Sequence, residues 1–222
     1  MKNILAIALF ACVSGCTQTP SIETGPGAEY TYDGLVRINN SRLKDAWVDP
    51  DVDLTQYNKI MVGAAEFEFR AVKKSTTSTA TRRLNETEFW MSDATKQKLI
   101  ETVTAIFGEE LQKSQKFTVV DEAGPDVLLL VGGLHEIVSQ VPPDEFGRSE
   151  IFLRSVGEAT LVIEAKDSLS GETIYRAIDR RAAERTGGEL MRSNSVTNMA
   201  EVRRLARRWG TRLREGLDSI HE

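Results

Sequence analysis

Thiol chemistry is almost missing from this chain: its two cysteines are Cys12 and Cys16, and no residue after them can supply a disulfide, a thiolate metal site or a cysteine nucleophile. Histidine is equally scarce. His135 and His221 are too few for a histidine-rich metal centre, and neither has a neighbouring ligand at helical or hairpin spacing. No apolar run is long enough to span a membrane as a helix, which takes about 20 residues, because the run Ile4 to Val13 is roughly half that before polar sequence resumes. No serine stands in Gly-x-Ser-x-Gly and no glycine-rich loop precedes Lys-Ser/Thr. Gly25-Pro26-Gly27 and Gly132-Gly133 lack the rest of a dinucleotide fingerprint. An excess of basic charge is also missing, with 28 basic against 33 acidic side chains, which disfavours nucleic acid as a partner. These absences leave no cofactor or metal to nominate and point away from an enzyme.

What is present begins at the N-terminus. Lys2, the apolar run and Ser14-Gly15 compose a charged n-region, a short h-region and a small-residue cleavage site, so residues 1–15 are expected to be a signal peptide. Val13-Ser14-Gly15-Cys16 resembles the lipobox of bacterial lipoproteins, which implies a diacylglyceryl group on Cys16. An ordinary signal peptide that happens to hold cysteines is the alternative. Leu9-Phe10-Ala11-Cys12 fits the motif less well, with bulky Phe10 where a small residue is preferred. By the same resemblance, Thr17 in place of the inner-membrane retention aspartate implies outer-membrane delivery, with the domain on the periplasmic face. Residues 16–40, with Pro20, Gly25, Pro26 and Gly27 among Ser, Thr and Glu, carry little apolar area to offset ordering and are expected to form a lipidated flexible tether.

Residues 41–222 are expected to form one periplasmic domain. Trp47 to Tyr57, with Asp49-Pro50 at its centre, reads as an extended lead-in to a strand at 59–69. The polar stretch 70–91 sustains neither period 2 nor 3.6 and is expected to be a long loop. Ser92 or Asp93 can cap a helix over 94–112, with Leu99, Val103, Ile106, Phe107 and Leu111 on one face. Strands follow at 116–120, at 126–141 until Pro142-Pro143, and at 155–166, where Ala159, Leu161, Ile163 and Ala165 alternate with polar residues. A turn at 167–172, with Gly171 free to take positive φ, leads into a strand at 173–181. Met199, Val202, Leu205, Trp209, Leu213 and Leu217 trace a second helix. The expected fold is α+β: a mostly antiparallel or mixed sheet of about five strands with two amphipathic helices packed on one face.

Trp47-Val48-Asp49-Pro50, Asp53-Leu54, Tyr57 and the strand after it resemble the opening of a family of Gram-negative lipoproteins known only as a domain of unknown function. Pro125-Asp126-Val127-Leu128-Leu129 and the hairpin at Ser168 to Glu172 are similar to that family as well. The resemblance covers roughly residues 40 to 222 and implies neither activity nor catalytic residues.

Three constellations could carry chemistry. Asp49, Asp51 and Asp53 have the one-three-five spacing of a calcium loop, but Leu54 replaces its glycine and Ile60 its bidentate glutamate, so they are expected to be a solvated strand entry. His135 beside Glu136 lies in strand-like sequence, where a hydrogen-bonded edge residue is the common outcome. On the last helix, Arg203, Arg204, Arg207, Arg208, Arg212 and Arg214 populate the side away from the apolar stripe. They could contact an anion or a partner, or simply pair along the helix with Glu201, Glu215 and Asp218 as a solvated face. The resulting expectation is a membrane-anchored, non-enzymatic adaptor or accessory subunit of an envelope assembly. The alternative is a module that binds an anionic lipid or small molecule through the arginine face. An enzyme built on His135 or on carboxylates gathered by folding comes third.

Overall fold

The computed structural model describes residues 19–72, 87–142 and 150–221; the expected signal peptide, Cys16 and most of the 70–91 loop lie outside the described residues. Two long strands form the centre: β6 (Val127–Ser139) and β8 (Ser155–Asp167) pair antiparallel, and β9 (Thr173–Glu184) continues from β8 through the hairpin at Gly171. β4 (Lys59–Phe69) lies parallel to β6, and β5 (Thr118–Val120) lies parallel to the start of β4. Parallel pairing needs a crossover. Helix α1 (Asp93–Leu111) supplies it, its N-cap Ser92 accepting from the Thr95 amide at 3.2 Å.

Three short strands precede β4. These are β1 (Ser21–Ile22), β2 (Val36–Asn39) and β3 (Asp45–Val48), which add to the sheet in antiparallel fashion beyond β9. The order is therefore β1-β2-β3-β9-β8-β6-β4-β5, an eight-stranded mixed sheet, with β7 (Phe152–Leu153) and β10 (Met191–Arg192) forming a separate two-stranded sheet. The expectation of about five strands is overturned. Strands of two to four residues are too short to show a period, and β1 and β2 lie in sequence whose glycines and polar residues read as tether. Leu35 and Val36, inside that stretch, are 2 % and 1 % exposed, and the lead-in at Asp45–Val48 is a strand with Ala46 and Val48 buried.

Helix α2 (Ser195–Asp218) begins in a capping box, where the Asn194 side chain accepts from the Val196 and Thr197 amides at 3.0 Å and Thr197 reaches back to the Asn194 amide. α2 packs on α1 and across β8 and β9. The core holds Val103, Ile106 and Leu111 of α1, Leu205, Trp209, Leu213 and Leu217 of α2, and the alternating Leu161, Ile163 and Ala165 of β8. Gly132 and Gly133 serve this packing. A Cβ on Gly133 would lie 2.0 Å from the Glu66 carbonyl oxygen, and one on Gly132 would lie 2.2 Å from that of Val162, so only glycine allows the neighbouring strands their approach.

The other face of the sheet carries paired charges. Arg176, between Ala177 and Tyr175 on β9, binds Glu164 at 2.8 Å and Asp33 at 2.7 and 3.1 Å, while the Tyr32 ring sits 5.7 Å from its guanidinium. The segment before β2 is thereby latched onto the sheet. The Arg176 hydrogen bond, helped by that of Thr31, holds the Asp33 carboxyl down at about 2.

Candidate functional site

Small side chains face each other at the end of the sheet where both helices begin. Ala159 and Ala183 on the strands lie across from Ala206 on α2, and the space they leave is a cleft of about 500 Å³. Its walls are Leu99 and Val103 of α1, Val202, Leu205 and Trp209 of α2, and Leu134, Ile137 and Val156 of the sheet. Polar groups collect at the helix starts: Ser92, Thr95 and Lys98 from α1, with Asn194, Ser195 and Asn198 from α2. Ser92 and Asn194 are occupied as caps. Lys98 is exposed and has no ion-pair partner among the described residues. Segments bordering the cleft also carry exposed apolar side chains, with Trp90 at 41 %, Phe152 at 54 %, Leu190 at 61 % and Val196 at 75 % exposure.

Below the cleft floor lies a buried carboxylate. Asp179 is 1 % exposed, and its Oδ2 accepts from Trp209 Nε1 at 3.0 Å and from Arg181 Nε at 2.7 Å, with Arg212 at 3.9 Å. Its Oδ1 has no hydrogen-bond partner among the described residues. Burial, together with the nearby Arg181 and Arg208 guanidiniums, lowers the pKa of Arg212 against the opposing pull of Asp179.

The six arginines singled out on α2 do not form one surface. Arg212 is drawn to Asp179, and Arg204 pairs with Glu201, itself only 2 % exposed. Arg203, Arg207 and Arg208 have no ion pair among the described residues. The pairing expected along the helix is present in part, since Arg214 binds Asp218 four residues on and also Glu215, while Glu215 also takes Arg42. His135 Nδ1 contacts Glu68 at 3.0 Å across β6 and β4. His221 Nε2 donates to the Tyr57 carbonyl at 2.8 Å. Asp49 and Asp53 form local turns, accepting from the amides of Asp51 and Thr55. The cleft was not anticipated. Its wall residues share the helical periodicity of any core stripe, and the facing alanines come from three elements far apart in sequence.

Among curated proteins none matches the chain. Solved structures similar to it include the PelC dodecamer from Paraburkholderia phytofirmans, 11 % identical over 69 % of this chain and 89 % of that one, with a TM-score of 0.35. Protein XCC0632 from Xanthomonas campestris, of family DUF330, is 12 % identical over 71 % and 82 %, with a TM-score of 0.40. A putative neuraminyllactose-binding hemagglutinin homolog from Helicobacter pylori is 9 % identical over 72 % and 84 %, with a TM-score of 0.36. The family model that matches residues 26–213 starts between β1 and β2 and runs nearly to the end of α2, so the chain belongs to DUF3313, a family of proteins of unknown function.

Proposed function

We propose that the protein is a non-enzymatic accessory module of the bacterial envelope, anchored in the outer membrane through acylated Cys16, that acts by binding a partner at the end of the domain where both helices start. The observation that carries this reading is a set of exposed apolar side chains, Trp90 at an apolar cleft, Phe152 and Leu190 on the paired segments that lead to its lining residues Ser193 to Ser195, and Val196 directly after them. Exposed apolar side chains grouped in one region are favoured as contact surface. A photoreactive amino acid at Phe152 or Leu190 in living cells should give a discrete adduct, diminished by Cys16→Ala. A protein that fractionates with membranes and yields no adduct from either position would overturn the reading. A Cys16→Ala chain that still fractionates with membranes would overturn the anchor.

A second reading, an anion-binding face, is favoured by Arg203, Arg207 and Arg208, whose guanidiniums are unpaired among the described residues and suit phosphate or carboxylate. Arg207→Glu with Arg208→Glu should abolish binding to vesicles containing anionic phospholipid at unchanged melting temperature. Unchanged vesicle binding removes this reading.

A further inference from the structure

We propose that the cleft binds one long, unbranched carboxylate, a fatty acid, with the alkyl chain between α1 and α2 and the carboxylate at Lys98. The depth of the cleft selects the chain. Val103, Leu134, Leu205 and Trp209 offer carbon surface, and the one nitrogen among them, Trp209 Nε1, is committed to Asp179. A polar ligand pressed against these walls would lose its hydration without gaining hydrogen bonds, and water there would lack partners, whereas an alkyl chain gives up nothing. The volume, about 500 Å³, lies in the lower part of the range for ligand pockets, about 300–1,000 Å³, and suits one chain better than the bulk of a diacyl lipid.

The mouth selects the head group. Lys98 is the cation there without a carboxylate partner among the described residues, while the one acidic wall residue, Glu158, is paired with Arg180. The positive ends of both helix dipoles act in the same direction, since Ser92 and Asn194 begin α1 and α2 at this rim. Exposed Trp90 and Val196 beside it give an alkyl chain a surface to enter across. This deepens the binding reading by naming a ligand for its cleft. Fatty-acid binding is measured on purified protein and partner capture in cells, so either can fail while the other stands.

Tryptophan placement supplies the assay. Trp209 is at the cleft floor and Trp90 at the rim, while Trp47 pairs with Arg176 in the strand register, on the face of the sheet away from the helices. The full chain with Cys16→Ala and Trp90→Phe is titrated with a dibrominated long-chain fatty acid, whose bromines quench an indole they touch. The expected result is saturable, partial quenching, lost in Ala206→Leu, which fills the cleft. Lys98→Glu, a surface change that leaves the walls intact, should weaken the carboxylate by about tenfold while a brominated alcohol of the same length binds both proteins alike. Absence of saturable quenching overturns the proposal. So does equal affinity of Lys98→Glu for the carboxylate, or quenching by a brominated diacyl phospholipid as strong as by the fatty acid.

Discussion

Asp179 gives the sharpest test of how the cleft floor is held. In Asp179→Ala the Trp209 indole N–H, in a residue 1 % exposed, loses its acceptor, and a buried donor left unsatisfied costs about 1–3 kcal/mol. Arg181 is 30 % exposed and can turn to water, so its ion pair adds only about 0–1 kcal/mol. Against these losses, the substitution removes Oδ1, which is buried and unpartnered, and so relieves part of the desolvation already borne. The balance is a destabilisation of about 2 kcal/mol, or about 4–8 °C in melting temperature for a chain of this size. Thermal and urea unfolding should both report it. If the Trp209 hydrogen bond is responsible, Asp179→Ala should cost about 1–2 kcal/mol less in a Trp209→Phe background, where no indole donor exists. A shift below 1 °C, or equal costs in the two backgrounds, would refute the reasoning.

Gly133→Ala should unfold the domain or lower its melting temperature by more than 10 °C, roughly a 3 kcal/mol effect, because its Cβ would meet backbone rather than a side chain that can move; circular dichroism checks it. Leu35→Ala should destabilise by about 2–4 kcal/mol in urea titration, whereas a residue in a flexible tether would give no effect. Asp33 is depressed from 3.8 to about 2 in the folded chain, so its contribution is fully present above about pH 4 and is lost as pH falls through about 2. That contribution, at most about 2 kcal/mol, should vanish from the acid limb of the stability curve in Asp33→Asn, while Arg176 stays charged throughout.

The long elements were legible because each repeats its signal. β8 alternates over 13 residues, α2 holds its stripe over 24, and Ser92 caps α1 as expected. The N-terminal strands were not legible. β1 and β2 pair with near neighbours in sequence, but the short ladder they form is joined to the sheet by partners far away, with Asp33 reaching Arg176 and β3 pairing with β9. Composition near Pro20 and Gly25 reports a lack of apolar area but not the backbone hydrogen bonds and ion pairs that replace it. The arginine run on α2 shows the same limit for a site. Arg204 and Arg212 have identical chemistry and neighbouring positions to Arg203 and Arg208, and only the buried carboxylates Glu201 and Asp179 separate paired from unpaired.

The docking of β1 bears on where the cleft can work. Pro20, Ser21 and Ile22 lie against Leu213, Leu217 and Ile220, at the C-terminal end of α2, around a smaller cavity of about 220 Å³. The cleft lies along the N-terminal part of that helix, from Asn194 to Trp209, and its mouth at Asn194 is the far end of an element whose 24 residues, at 1.5 Å per residue, span about 36 Å. Were Cys16 acylated as proposed, only Thr17 and Gln18 would separate the anchor from the described chain, a reach of about 10 Å from Cys16 to Thr19. A domain anchored in that way would be held by the end where β1 meets the α2 C-terminus and would present the cleft away from the anchoring membrane. A fluorophore on Val196→Cys should then escape a quencher placed in the lipid headgroups of reconstituted vesicles, while one on Arg42→Cys, beside Glu215, should be quenched. Equal quenching at both positions would mean that β1 leaves the sheet when the chain is anchored. Whatever enters the cleft would in that case come from the anchoring membrane itself, rather than from the periplasm across it.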